Sequence, residues 1–315
     1  MPTVALVRSL RIALICLTAA AIVAWAQPKR PRITGVAHIA IFTSDIAKAR
    51  DFYGALLGYQ EPFLLNNAAG NLDLTFVKIN ERQCIEIFPE KEAGSDRLNH
   101  ISVETDDAEG MRAYLASRGV AAPPKVNKVR IGNLAFNVKD PDGHTVEFVQ
   151  YTPQGWTSRE KGKFIGKERI SDRMAHIGIL VGKLDDSKKF YGDILGFKEF
   201  WRGTRDPKQL SWVNMQVPDG DDYIEFMLYK DLPAPTQRGT QHHLCLFVPD
   251  IQKSLAILNA RPARQRYTRP LEIRTGVNRK RQLNLFDHDG TRVELMEPHT
   301  IDGQPAPSSD APPPR

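Results

Sequence analysis

Four short stretches of the chain alternate apolar residues with others and begin with a histidine. They read HIAIF, HISVE, HIGIL and HLCLF, and they start at His38, His100, His176 and His243. Alternation of this kind predicts a β-strand with one buried face. A polar turn and a helical pattern follow each strand, so the same opening is written four times along the chain.

The helix after the first strand is nearly repeated in the third stretch. Residues 52–59 read FYGALLGY, and residues 190–197 read FYGDILGF. Gly58 and Gly196 predict the ends of these two helices, because glycine readily adopts the left-handed conformation that closes a helix. In the fourth stretch, Asp250 is suited to cap the start of the helix.

Each stretch ends in a strand that carries one glutamate among apolar residues. These strands read CIEIF, TVEFV, YIEFM and RVELM, and an Asp-Gly turn before the second and fourth predicts a hairpin. Each repeat, which we call a module, therefore consists of a strand, a helix and three strands. Histidine and glutamate are 47 to 51 residues apart in all four pairs: His38 and Glu86, His100 and Glu147, His176 and Glu225, His243 and Glu294.

A single module leaves one face of its sheet uncovered, so we expect the modules to pair around shared cores. The chain of 315 residues is long enough for two such bodies. We favour pairing module one with two and three with four, and pairing one with four and two with three stays open. The predicted divisions are a first domain at 32–152, a linker at 153–172, a second domain at 173–298 and a disordered proline-rich tail at 299–315.

The N-terminus has the pattern of a secretory signal. Arg8 and Arg11 precede an apolar run from Ile12 to Ala26, which is shorter than the roughly 20 residues that span a bilayer. We expect residues 1–26 to be a cleaved signal peptide, which makes the protein periplasmic or secreted and leaves it without stable membrane insertion. An uncleaved N-terminal membrane anchor is the alternative.

Charge and cysteine content exclude two further classes of protein. The net charge of +6 is too small to indicate a nucleic-acid partner. Beyond the leader only Cys84 and Cys245 remain, too few for a disulfide framework. We expect both to be buried free thiols.

The repeated histidines and glutamates predict a metal site. Alternation places His38 on the strand face opposite Ile39 and Ile41, and Glu86 on the corresponding face of its own strand. A buried carboxylate needs compensation, and a divalent ion bound by imidazole and carboxylate provides it. A lone histidine or glutamate of this kind is usually structural. Recurrence of both residue types in all four modules favours metal ligation.

The four modules resemble those of the vicinal oxygen chelate superfamily over residues 33–298. The sequences FYGALLGY and KDPDGHTVEF within them also resemble that superfamily. That superfamily includes glyoxalase I, fosfomycin-resistance enzymes, extradiol ring-cleaving dioxygenases and bleomycin-binding proteins. The resemblance implies an α+β fold in which the four strand-helix-three-strand modules pair into two eight-stranded cup-shaped sheets. It also implies a divalent metal ion (Zn, Ni, Fe(II) or Mn) in at least one cup, with the candidate ligands His38, Glu86, His100, Glu147, His176, Glu225, His243 and Glu294.

The resemblance leaves three functions open, all with a small-molecule ligand. Glyoxalase-like lyase or isomerase chemistry is favoured, with Glu147 and Glu294 as candidate bases and Glu86 and Glu225 as fixed ligands. An extradiol-type dioxygenase is the alternative, but Asn137 and Asn284 stand where those enzymes have a tyrosine. A non-catalytic binding protein is the third, although such members generally lack the ligand set.

A basic segment at 261–281 could bear on the substrate, because it holds eight basic residues against the single Glu272. The simpler interpretation is a solvated strand edge. The alternative is an anionic substrate attracted to the mouth of a cup.

Overall fold

The structure is a computed structural model that describes residues 28–94, 96–239 and 241–314. The predicted signal peptide lies outside the described residues. Among those residues, no helix is both long and apolar enough to cross a membrane.

Two curled sheets of eight strands each make up the fold, as predicted. Modules one and two form the first sheet, and modules three and four form the second, so the sequential pairing is observed. The first sheet contains β1 (Ile33–Thr43), β2 (Leu64–Asn66), β3 (Leu72–Lys78), β4 (Cys84–Pro89), β5 (Leu98–Thr105), β6 (Asn127–Lys128), β7 (Leu134–Lys139) and β8 (Thr145–Gln150).

The second sheet repeats the first strand for strand. It contains β9 (Met174–Val181), β10 (Lys198–Gly203), β11 (Trp212–Gln216), β12 (Tyr223–Leu228), β13 (His243–Phe247), β14 (Ile273–Thr275), β15 (Lys280–Phe286) and β16 (Arg292–Thr300). The strand orders are β2-β3-β4-β1-β5-β8-β7-β6 and β10-β11-β12-β9-β13-β16-β15-β14. In both, the first strands of two modules pair antiparallel at the centre of the sheet.

A helix follows the first strand of each module, and one more lies in the linker. The helices are α1 (Ile46–Arg50, continued as a π-helical turn at Asp51–Leu56), α2 (Ala108–Ser117), α3 (Trp156–Arg159), α4 (Leu184–Ser187, continued as a π-helical turn at Lys188–Ile194) and α5 (Ile251–Ala260). Short 3-10 turns occur at Pro235–Gln237 and Pro262–Gln265. As predicted, Asp250 caps α5 through the N–H groups of Gln252 and Lys253, and Gly58 and Gly196 have φ of +80° and +81°.

The core confirms the predicted faces of the central strands. Ile39, Ile41, Ile85 and Ile87 belong to a buried apolar cluster that continues from the first sheet into the second. Burial of this apolar surface is the main force that joins the two halves. His38 lies on the opposite, concave face of the first sheet.

The repeated octapeptides form a symmetric contact between the halves, which we call the clasp. Tyr53 donates a hydrogen bond to Asp287 across the interface (3.1 Å), and Tyr191 donates one to Asp140 (3.0 Å). Each tyrosine comes from an FYG sequence of one half, and each aspartate comes from an Asp-Gly turn of the other. The second copy of the sequence therefore makes the same contact in the opposite direction.

The predicted linker and the tail that was predicted to be disordered both pack against the domains. The linker contains α3, and its Ile170 donates a backbone hydrogen bond to Leu57. The expectation of a disordered tail from residue 299 is corrected, because β16 continues to Thr300 and the later residues lie along the second sheet. The tail is held by the indole N–H of Trp201 donating to Pro307 and by backbone bonds from Ser309 to Arg202 and from Leu210 to Pro312.

Candidate metal centres

The concave face of the first sheet brings the four predicted residues of that half together, and we call this site cup one. The Nε2 atoms of His38 and His100 are 2.9 Å apart. Glu86 lies 3.7 Å from the first imidazole and 3.8 Å from the second, and Glu147 Oε1 lies 3.3 Å from His38 Nε2. The central strands, β1 and β5 with β4 and β8 beside them, supply one residue each.

Burial perturbs the pKa of every group in cup one. It lowers the pKa of His38 well below its usual value and lowers that of His100 to about 4. Burial and the nearby Glu147 raise the pKa of Glu86 well above the ordinary value. Burial raises the pKa of Glu147 to about 7, against a hydrogen bond that Ser102 donates to it over 3.2 Å. Two buried acids facing two neutral imidazoles are the donor set that suits a divalent transition metal.

Cup one opens into an apolar cavity of about 220 Å³. Phe76 and Phe88 line it together with Trp156, which α3 brings in from the linker. The ring of Trp156 lies 4.9 Å from that of Phe63 and 5.5 Å from that of Phe76. Cys84 also reaches the floor, where its Sγ lies within 4.8 Å of ligand atoms of His38 and Glu86.

The second sheet assembles the corresponding four residues, and we call this site cup two. The Nε2 atoms of His176 and His243 are 3.1 Å apart. Glu294 lies 3.5 Å from His176 and 3.7 Å from His243, and Glu225 lies 3.4 Å from His243. Donor spacing alone would allow a metal ion here as well.

Arg292 distinguishes cup two from cup one. Its Nη2 lies 2.7 Å from Nδ1 and 3.1 Å from Nε2 of His243. The pKa of His243 is lowered well below its usual value by burial and by this guanidinium. Burial raises the pKa of Glu294, but a hydrogen bond and charge interaction with His176, and the Arg292 charge, hold it below the ordinary value. The donor set of cup one therefore fits a divalent ion, whereas that of cup two already has a cation beside it.

Other predicted residues have structural surroundings. His242, the neighbour that competed with His243, faces His144 edge to face with ring centroids 5.3 Å apart. Both described cysteines are buried free thiols, as expected. Several arginines of the basic segment are paired within the protein, as in Arg266 with Asp51 and Arg281 with Glu297. An anionic substrate at a cup mouth therefore stays a hypothesis.

Three contributors were missed from the sequence. Trp156 lies in the predicted linker, where no pattern relates it to a strand. Ser102 and Arg292 could have been found, because they stand two residues after a predicted histidine and two before a predicted glutamate. Positions two apart on a strand share a face.

The protein has two domains, and each carries two histidines and two glutamates on the concave face of its sheet. This arrangement defines a class of protein that comparison with known families identifies. The model of the Glyoxalase/Bleomycin resistance protein/Dioxygenase superfamily matches residues 35–148 and 173–295. The chain belongs to this superfamily, the vicinal oxygen chelate proteins.

Solved structures with this fold include both dioxygenases and a glyoxalase. An extradiol ring-cleaving dioxygenase from B. fuscum is 18% identical, with a TM-score of 0.64 over 89% of this chain and 76% of that one. A Mn(II)-bound glyoxalase from Novosphingobium aromaticivorans is 16% identical, with a TM-score of 0.62 over 85% and 83%. A catechol 2,3-dioxygenase is 16% identical, with a TM-score of 0.62 over 90% and 92%. No curated protein matches the sequence.

Proposed function

We propose that the protein is a metal-dependent enzyme of the lyase or isomerase type whose active site is cup one. One observation carries the proposal: two carboxylates, Glu86 and Glu147, lie with two histidines at the floor of an open cavity. Proton abstraction next to a carbonyl needs a carboxylate free to act as base in addition to those that hold the ion. A ring-cleaving site of the two-His-one-carboxylate kind needs only one acid.

His38, Glu86 and His100 would hold the divalent ion throughout, with Zn, Ni, Fe(II) and Mn as the candidates. Glu147 would bind it as a fourth ligand that can leave the ion to act as base. When bound, such an ion supplies Lewis-acid polarisation of two neighbouring oxygen atoms of the substrate. The substrate class is therefore a small molecule with adjacent oxygens, such as a 2-oxoaldehyde adduct. The apolar walls favour one with an apolar or aromatic body.

Glu147 takes the role of base in this proposal. Its carboxylate removes a proton from the hydroxyl-bearing carbon next to the substrate carbonyl and returns it to the carbonyl carbon. The hydroxyl proton moves to the former carbonyl oxygen, so no proton is consumed overall. Ser102 donates a hydrogen bond to Oε1 and orients that atom. Trp156 and Phe76 exclude water from the cavity, which strengthens the charge interactions within it.

A dioxygenase is the second candidate, because His38, His100 and Glu147 by themselves form a two-His-one-carboxylate group. Asn137 lies opposite Glu147 on the neighbouring strand. It stands where the resemblance to extradiol enzymes leads us to expect a tyrosine, which favours the lyase or isomerase.

A substrate screen with defined metal loading tests the proposal. The protein, loaded separately with Ni, Zn, Fe(II) or Mn, is incubated with 2-oxoaldehydes and several thiols, and with catechols under oxygen. We expect turnover of an oxoaldehyde–thiol pair that EDTA abolishes. Cleavage of the catechol ring by the Fe(II)-loaded protein, and by none of the other metal forms, would identify the protein as a dioxygenase. Tight ligand binding unaffected by EDTA, without turnover, would make it a binding protein.

Export is a separate proposal, supported by the two arginines and the 15-residue apolar run at Ile12–Ala26. The N-terminal sequence of the protein recovered outside the cytoplasm should begin at Gln27. A mature protein that begins at the initiator methionine and stays with the membrane would support the anchor instead.

A further inference from the structure

The two cups differ at a strand position that faces their interiors. Thr145 stands two residues before Glu147 in the first sheet. Arg292 stands two residues before Glu294, at the equivalent position of the second sheet. Both precede their glutamates on the same face of the strand. Thr145 accepts a hydrogen bond from Lys139 on the adjacent strand, whereas the Arg292 side chain reaches His243.

The guanidinium lies beside a nitrogen that a metal ion would need. Nη2 of Arg292 is 3.1 Å from Nε2 of His243, and metal–imidazole bonds are about 2.0–2.1 Å long. A divalent ion bound to Nε2 would therefore sit next to a fixed positive charge in a buried site, where repulsion is poorly screened. The same positive charge already offsets the buried carboxylate of Glu294.

The imidazole of His243 is also placed differently from that of His100. A Cβ at Gly178 would lie 1.9 Å from Cε1 of His243, so the ring uses space that a side chain would need. The first sheet has Ala40 at the corresponding position of β1, two residues after His38.

Arg292 also lines a cavity that differs from the one in cup one. A cavity of about 330 Å³ is lined by Trp212, Met227 and Arg292, together with Pro314 of the tail. None of the four metal-ligand candidates of cup two lines this cavity, whereas all four candidates of cup one line theirs. Arg292 therefore faces both this cavity and His243.

We propose that Arg292 takes the place of the metal ion in cup two, so that each chain binds one divalent ion, in cup one. This inference concerns where ions bind and does not depend on the reaction. It makes Arg292 the determinant of metal stoichiometry, although both halves retain the full set of histidines and glutamates.

Counting metal ions tests the inference without an activity assay. The protein and its variants are loaded with excess Mn²⁺, desalted and analysed for metal per chain, with circular dichroism as the check of folding. We expect one ion in the wild type, two in Arg292→Thr, and one in Arg292→Lys, which keeps the charge. His100→Ala should lower the count by one in the wild type and in Arg292→Thr, whereas His243→Ala should lower it only in Arg292→Thr.

Two ions in the wild type would overturn the inference. So would one ion in both the wild type and a folded Arg292→Thr variant. So would loss of the wild-type ion on His243→Ala. No ion in the wild type but one in Arg292→Thr would contradict both the proposed function and the count of one ion in cup one, and would uphold only the exclusion of the ion from cup two by Arg292. One ion in the wild type and two in Arg292→Thr, without turnover of any substrate, would uphold this inference and contradict the proposed function.

Discussion

Cup one and cup two are built from the same strands and the same four ligand residue types, and they differ in what surrounds them. The Nε2–Nε2 distances of their histidine pairs are 2.9 and 3.1 Å. Opposite the first glutamate of each pair, however, stands Phe76 in cup one and Asn214 in cup two. The fold thus fixes the positions of the ligands, while cross-strand neighbours decide the polarity of each cup.

The polar lining of cup two also leaves hydrogen-bonding groups unused. Among the described residues, His176 Nδ1, Asn214 Oδ1, Asn284 Oδ1 and Arg292 Nε are buried without a partner, and no atom of the four cup-one ligands is in that state. Unpaired buried polar atoms cost stability unless a partner is supplied. Cup one is therefore an apolar cavity above a floor of ionisable groups, and cup two has a polar interior.

The largest expected difference between the cups is catalytic. Glu147→Gln keeps the size of the side chain but removes its basicity, so turnover should fall by about 10² to 10⁴ with most of the metal retained. Glu294→Gln, the matched change in cup two, should leave turnover within about twofold. Steady-state rates per bound metal ion measure both. Equal losses in the two variants would give both cups a part in the reaction.

Removing the aromatic cover of cup one should be costly to stability. Trp156→Ala deletes a buried ring packed on Phe63 and Phe76, and such truncations cost about 3–5 kcal/mol. Trp212→Ala in cup two removes a half-buried ring and should cost less. Urea unfolding of the metal-free proteins compares them. A small effect at Trp156 would show that α3 covers the cavity without contributing to the folded core.

Glu147 should make the metal-free protein less stable as pH rises. The lowered pKa values of His38 and His100 act in the opposite direction, so the contribution of Glu147 is measured as the difference between the wild type and Glu147→Gln. The pKa of Glu147 is about 7 in the folded state and 4.5 ordinarily, so between these values the folded state binds more protons than the unfolded state. Stability from this group is therefore present below pH 4.5 and is lost by pH 7, by about 3 kcal/mol at 1.36 kcal/mol per unit.

Glu294, whose pKa is lowered, acts in the opposite direction in cup two, since it contributes stability above its unfolded pKa. Melting temperatures with EDTA and with Mn²⁺, taken from pH 4.5 to 7.5, should diverge as pH rises. Glu147→Gln should reduce that divergence more than Glu294→Gln. A constant gap across the range would contradict the assignment.

Removing either hydrogen bond of the clasp should lower the stability of the protein by a similar amount. Tyr53→Phe and Tyr191→Phe each remove one hydrogen bond to a buried aspartate, so each should cost about 1–2 kcal/mol of unfolding free energy. The pair share no partner, and their effects should add. Denaturant titrations of the single and double variants measure this. Clearly unequal losses of unfolding free energy in the two single variants would show that one half depends on the interface more than the other.

Most of the fold could be predicted because its signals are local and repeated. Strand alternation, Gly58 and the spacing of His38 and Glu86 each depend on nearby residues, and four copies confirm one another. Trp156 could not be predicted as a cavity wall, because its place depends on how the linker crosses the first sheet. The partners of Tyr53 and the effect of Arg292 likewise depend on contacts between distant segments, which periodicity does not encode.

The reciprocal clasp gives the chain the anatomy of a twofold dimer folded into one polypeptide. In such a dimer a single patch meets itself, and every contact occurs twice. Here the contact still occurs twice, but the two copies have separate sequences. A free homodimer that acquired an arginine at the position of Arg292 would carry it in both cups and lose both sites. A fused chain can change one cup and keep the other, because each half has its own sequence.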